Sequence, residues 1–266
     1  MTYPRREVYS HAPLAMVTVE VQLNYEPQIK KQSTLDGFGT AVREVLPILE
    51  LSGVFPKGND RQSSDDDSPK LRAIRQDGQA IATLSPTSLS FAVSGETYRG
   101  YEETFEPFLR AVVEAYQTCV ANSSVRRIGL RYLDEIRVPE PPGDLAGWSY
   151  WIAPELVAAS TILPGGEHNG IRASYHNSEG DRELVYWWGT FHGATVVGQD
   201  QPFSRSDLPK TRMFVLDVDS ATTFPEYHVF GADDILETVR SLHEPVGLVF
   251  QKSITDAARR MFRGEK

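Results

Sequence analysis

In the strand predicted over Leu14–Leu23, apolar and polar side chains alternate without a break from Val17 on. Val17, Val19, Val21 and Leu23 fall on one side, and Thr18, Glu20 and Gln22 on the other. Period two over this length means a β-strand with one buried face. A second long strand is predicted over Val125–Val138, where Ile128, Leu130 and Tyr132 share one face and Arg127, Gly129, Arg131 and Leu133 share the other. Strands with one wet face belong in antiparallel sheets covered by helices on the other side.

The remaining segments are fitted around these two strands. Ser33, with Asp36 three residues on, resembles a capping box. Leu35, Phe38, Val42, Val45, Leu46 and Leu49 follow at helical spacing, and Pro47 ends or kinks that helix. Pro56–Pro69, with its Asp65-Asp66-Asp67 run, reads as a solvated loop. Short strands are predicted over Leu71–Arg75, Ala80–Leu84 and Ser88–Val93, with Asp77-Gly78 as a hairpin turn. A second helix carries Phe105, Phe108, Leu109, Val112, Val113 and Tyr116, and Pro107 must lie in its first turn. After Pro139, Pro141, Pro142 and Gly143, strands are predicted over Ala158–Leu163, Asn169–His176, Glu183–Val197 and Thr211–Asp219. Two C-terminal helices follow, one built on Ile235, Val239 and Leu242, the other opening at Pro245.

The helices come after groups of strands rather than alternating singly with them. That order predicts an α+β protein, mostly antiparallel sheet with helices on one side. It also raises the option of two pseudo-repeated strand-helix-three-strand-helix halves. The Pro-rich break sets the expected boundary, giving an N-terminal half of residues 1–138 and a C-terminal half of residues 139–266 packed as one unit.

Composition narrows the function classes. The chain has 266 residues, 40% of them hydrophobic, enough for a real core. The 27 Lys and Arg against 36 Asp and Glu leave a net charge of −9. A nucleic-acid binder needs cations to displace counterions from phosphates, so no direct nucleic-acid partner is expected. Cys119, the single cysteine, can form neither an internal disulfide nor a cysteine-based zinc site. The polar N-terminus has no apolar signal core, and no apolar run reaches the ~18 residues of a spanning helix. A cytoplasmic protein with no membrane association is the expectation.

No phosphate-binding glycine loop, dinucleotide fingerprint, nucleophile elbow or His-Glu-x-x-His run occurs. No catalytic residue, metal ligand or cofactor is assigned, and the reading leans away from an enzyme. His243, just before Pro245, is placed at a helix end. Asp217 and Asp219 share one strand face about 7 Å apart. Such a pair can hold a cation, act as acid and base, or simply pair with Arg127 or Arg131. Trp187 and Trp188 are adjacent on a strand and must face opposite sides; one fills the core, and the other lies under a cover, in a pocket or at an interface. The candidate binding residues are therefore Glu20, Arg127, Arg131, Trp187, Trp188, Asp217 and Asp219. Side-chain parity predicts that the charged members gather on one sheet face.

Tyr9-Ser10-His11-Ala12-Pro13-Leu14, read with Arg127-Ile128-Gly129-Leu130-Arg131-Tyr132, Leu216-Asp217-Val218-Asp219 and Leu242-His243, resembles a sporadically distributed family of uncharacterised prokaryotic proteins of about this length. The resemblance carries no activity. Its patchy distribution implies accessory, mobile-element or defence-associated genes. A non-enzymatic binding or interaction protein, with a protein partner or self-association, is the leading expectation. A small-molecule binder or hydrolytic enzyme with a pocket between the halves is the alternative.

Overall fold

The structure is a computed structural model, and it describes residues 7–52, 69–158, 160, 170–177, 181–197, 203 and 208–265. Its strands are β1 (Leu14–Leu23), β2 (Ile48–Ser52), β3 (Lys70–Ile74), β4 (Ala80–Ser85), β5 (Ser88–Ser94), β6 (Ser124–Ile136), β7 (Ile171–His176), β8 (Arg182–Gly193) and β9 (Thr211–Val229). Its helices are α1 (Gln32–Ala41), α2 (Glu106–Cys119), α3 (Pro154–Val157), α4 (Ala232–Ser253) and α5 (Asp256–Arg263). The strands form one nine-stranded antiparallel sheet in the order β2-β3-β4-β5-β1-β6-β9-β8-β7. The α+β expectation holds. The loop expected over Pro56–Pro69 lies outside the described residues, apart from Pro69 itself.

The chain divides into two compact units, each discontinuous in sequence. One comprises residues 1–17, 131–220 and 241–266; the other comprises 18–130 and 221–240. The expected cut at 138/139 falls inside the first of these.

In the second unit Val19 and Val21 of β1 are buried, while Thr18, Glu20 and Gln22 stay half-exposed, as the alternation requires. Each such valine contributes about 1.5–3 kcal/mol by burial. Phe91 packs on Phe105 at 5.5 Å between ring centroids, and Tyr116 on Phe230 at 4.4 Å. Pro107 lies in the first turn of α2, where its missing N–H costs nothing. Cys119 ends that helix, half-buried, and burial pushes its thiol pKa up, which leaves it unreactive.

The helix expected through Leu49 is a correction. α1 stops at Ala41, Val42 caps it, and the chain turns before entering β2. Pro47 has no N–H to continue a helix, and Ile48–Ser52 pair residue for residue with Ile74–Lys70 of β3.

In the first unit Trp148 packs on Phe214, with ring centroids 5.5 Å apart. The N-terminal Tyr9 is buried against Phe262 and Phe250 and donates its hydroxyl hydrogen to Gln251 Oε1. Ser10 Oγ donates to the Phe262 carbonyl, at the end of α5. Gly264 closes α5 in the left-handed conformation (φ +75°).

Three further expectations are corrected here. Pro245 does not open a helix; it lies inside α4, and His243 is mid-helix rather than at an end. The buried positions Ile235, Val239, Leu242 and Val246 keep one stripe running past Pro245, so burial outweighs the lost hydrogen bond. Of the strand expected over Ala158–Leu163, Ala158 lies in a turn and Ser160 is helical, after the short helix α3, and the rest lies outside the described residues. β9 runs ten residues past Asp219, to Val229.

Candidate functional site

Arg131 and Asp217 meet as parity predicts. Arg131 Nε and Nη2 each donate to one Asp217 oxygen at 2.7 Å, a bidentate pair. The side chains are 42% and 19% exposed. These hydrogen bonds, with the charges of Asp217 and Asp219, hold the Arg131 guanidinium more firmly protonated than usual. In the other unit, Glu20 accepts from Gln22 Nε2 on its own strand at 3.2 Å. Arg127 lies over Gly129, where a Cβ would stand 2.6 Å from its Nη1. The glycine thus makes room for a side chain two residues away on the same strand face.

Trp188 stacks at a tilt on Tyr186, 4.9 Å between centroids, and its indole N–H donates to the Leu156 carbonyl at 2.9 Å. Trp187 lies over Gly170, whose Cβ, if present, would stand 2.1 Å from Trp187 Nε1. Both tryptophans are half-buried. Trp188 therefore acts as a cover over α3.

Asp134 is the residue that sequence reasoning missed. It is 5% exposed on β6. Burial and the neighbouring Asp217 charge push its pKa up to about 8. Close by, Tyr186 and Ser253 join β8 to α4 through a 2.7 Å hydroxyl contact. Burial also raises the Tyr186 pKa. The signal was present in Leu133-Asp134-Glu135: adjacent acids within a strand face opposite sides, and Asp134 shares parity with Ile128, Leu130 and Tyr132. Glu135, by contrast, is well held. Its carboxylate accepts from the Val196 N–H at 2.8 Å and from Arg137 Nη2 at 2.9 Å. Arg137 also donates to the Pro209 and Ala194 carbonyls, so the pair pins both stems of the β8–β9 connection.

The second unit offers a different feature. β2 stands at one end of the sheet order, and no described strand pairs with its outer edge. Ile48, Leu49 and Leu51 are 43%, 40% and 41% exposed. Leu49 lies so close to α1 that a Cβ on Gly39 would stand 2.7 Å from its Cδ1. Glu50, the strand's one charge, is tied to Arg72 of β3 at 2.8 Å. An open polar groove, lined by Glu114, Gln117, Asp233 and Asp234, separates the end of α2 from the start of α4. Among the described residues no group of three or more His, Cys, Asp or Glu is placed to hold a metal ion. No described helix is long and apolar enough to cross a membrane.

No protein-family model matches the chain, and none of the curated proteins matches it either.

Proposed function

We propose that this chain is a non-enzymatic binding protein that works in a complex, and that a partner protein engages it by adding a strand to β2. The β2 edge, which no described strand covers, carries this reading. Natural sheets blunt their edges with Lys, Pro, bulges or covering segments. Ile48-Leu49-Glu50-Leu51-Ser52 has no Lys or Pro, and its unbroken register with β3 has no bulge. Main-chain hydrogen bonds to an added strand supply affinity, and alternate apolar side chains supply specificity. The net charge of −9 disfavours nucleic acid and leaves protein as the partner class. A role as accessory component of a mobile or defence-associated prokaryotic system rests on the family resemblance alone.

The test is capture of partners from the native host with tagged wild type and with Leu51→Lys. A charge on a half-exposed edge residue spares the core and blocks strand addition. Wild type retaining a protein that Leu51→Lys releases, with both variants folded, supports the proposal. Identical capture by both, or capture of nothing, refutes it.

A second reading, a small-molecule binder or hydrolytic enzyme, is favoured by the buried Asp134 beside the Arg131–Asp217 pair. Strongly perturbed acids cluster at functional sites. A thermal-shift screen against metabolites, nucleotides and divalent ions separates the two readings, because a ligand of the native state raises the melting temperature.

A further inference from the structure

The two faces of β2 ask different things of a strand laid beside it. The register with β3 sets Leu49 and Leu51 in one row with Ala73 and Leu71. It sets Ile48, Glu50 and Ser52 in the other row with Ile74, Arg72 and Lys70. Leu71 and Ala73 are 5% and 0% exposed, whereas Leu49 and Leu51 are 40% and 41% exposed. Leu49 lies against α1 at Gly39, so the first row belongs to the helix-covered face and stops half-covered at β2. Side chains directly opposite in paired strands share a face. An added strand therefore needs apolar residues opposite Leu49 and Leu51, because polar ones would lose water beside α1 without gaining a partner.

Glu50 governs the other row. Its side chain is 53% exposed, and its Oε2 accepts from Arg72 Nη1 at 2.8 Å. A carboxylate has acceptor sites beyond that one, and no donor. β2 carries no other charge. A cation opposite Glu50 is attracted, and an acid there is repelled. The same carboxylate acts against a second copy of this chain. Two β2 strands that pair antiparallel over all five residues, about a two-fold axis, must be centred on residue 50. Glu50 then meets the Glu50 of the second copy, and each copy brings a net charge of −9. A shifted register separates the carboxylates but shortens an already short pairing.

We propose that the β2 edge selects a foreign strand with Lys or Arg opposite Glu50 and apolar side chains opposite Leu49 and Leu51, and that Glu50 keeps two copies of this chain from pairing there. This rests on strand addition at β2 and adds the chemistry of the added strand. The net negative charge of the chain acts in the same direction, because complementary charge speeds the encounter with a basic segment.

The test uses the full chain and two cyclic hairpin peptides, which present Thr-Val-Lys-Val-Thr or Thr-Val-Glu-Val-Thr along one edge. Hydrogen exchange locates binding, and titration at low salt ranks it. The lysine peptide should protect residues 48–52 and bind about fivefold tighter than the glutamate peptide, a gap that added salt narrows. Glu50→Lys should reverse the order, and Glu50→Gln, which keeps the shape without the charge, should erase it. If both peptides protect 48–52 equally in the wild-type chain, strand addition stands and the charge selection is overturned. If neither protects 48–52, strand addition itself falls, and this inference with it. A wild-type dimer in sedimentation, protected across 48–52, overturns the exclusion of a second copy.

Discussion

A guanidinium that gives two hydrogens to one carboxylate is held in plane, and its loss leaves that carboxylate stranded. Asp217 is mostly covered, so Arg131→Met should leave the protein folded but destabilised by about 1–3 kcal/mol, read from urea unfolding. A loss below about 0.5 kcal/mol would mean that the pair is only solvated surface. Asp134 works in the opposite sense. Its folded pKa of about 8 lies above the ordinary 3.8, so the folded state binds more protons between those values. Stability should therefore fall as pH rises from about 4 to about 8 and level off beyond. Asp134→Asn should remove that slope and raise the melting temperature at pH 8; an unchanged slope would remove Asp134 as its cause. The two residues also differ in how far the sequence reveals them. Arg131 and Asp217 were legible because strand parity puts each opposite an aliphatic face. Asp134 carries the same kind of signal in its parity with Ile128, Leu130 and Tyr132, but the covering that buries it is tertiary and leaves no mark in the sequence.

Elements were legible wherever a single period ran unopposed. β1 matches its expected limits residue for residue, and α2 follows its apolar stripe. The failures sit beside prolines. Val42, Val45, Leu46 and Leu49 have helical spacing, yet Val42 and Leu46 reach the core from the chain just after α1, while Leu49 lies exposed on β2. Periodicity cannot tell these from a helix, because the spacing of apolar residues does not say which of them are buried or in what conformation. Pro245 misled in the other direction: it reads as a helix start, but α4 tolerates it for the sake of its buried stripe. Pro245→Ala should therefore stabilise the protein by about 1–3 kcal/mol by restoring a helix-interior N–H donor. An unchanged or lowered urea midpoint would mean that the bend itself is needed. The N-terminal motif likewise receives a structural meaning from its contacts. Tyr9 and Ser10 dock on α5, and Tyr9→Ala should cost about 3–5 kcal/mol, as for other buried aromatics.

At the scale of the whole molecule, the nine-stranded sheet leaves β2 as an edge in one unit and β7 as an edge in the other. β2 combines a straight register, apolar side chains and a single charge already paired with Arg72. Leu51→Lys should leave the melting temperature within a few degrees of wild type, since substitutions at half-exposed sites usually shift stability by little; a large drop would show that Leu51 is needed for folding. No sequence pattern disclosed the edge, because strand order in a sheet is set by tertiary pairing and the expected helix ran through Leu49, into the start of β2. The central claim, that a partner adds a strand at β2, is tested most directly by hydrogen exchange of the chain alone and in the complex isolated from its host. The account predicts that the backbone amides of residues 48–52 become strongly protected in the complex. Unchanged exchange across 48–52, with protection appearing elsewhere, would contradict it.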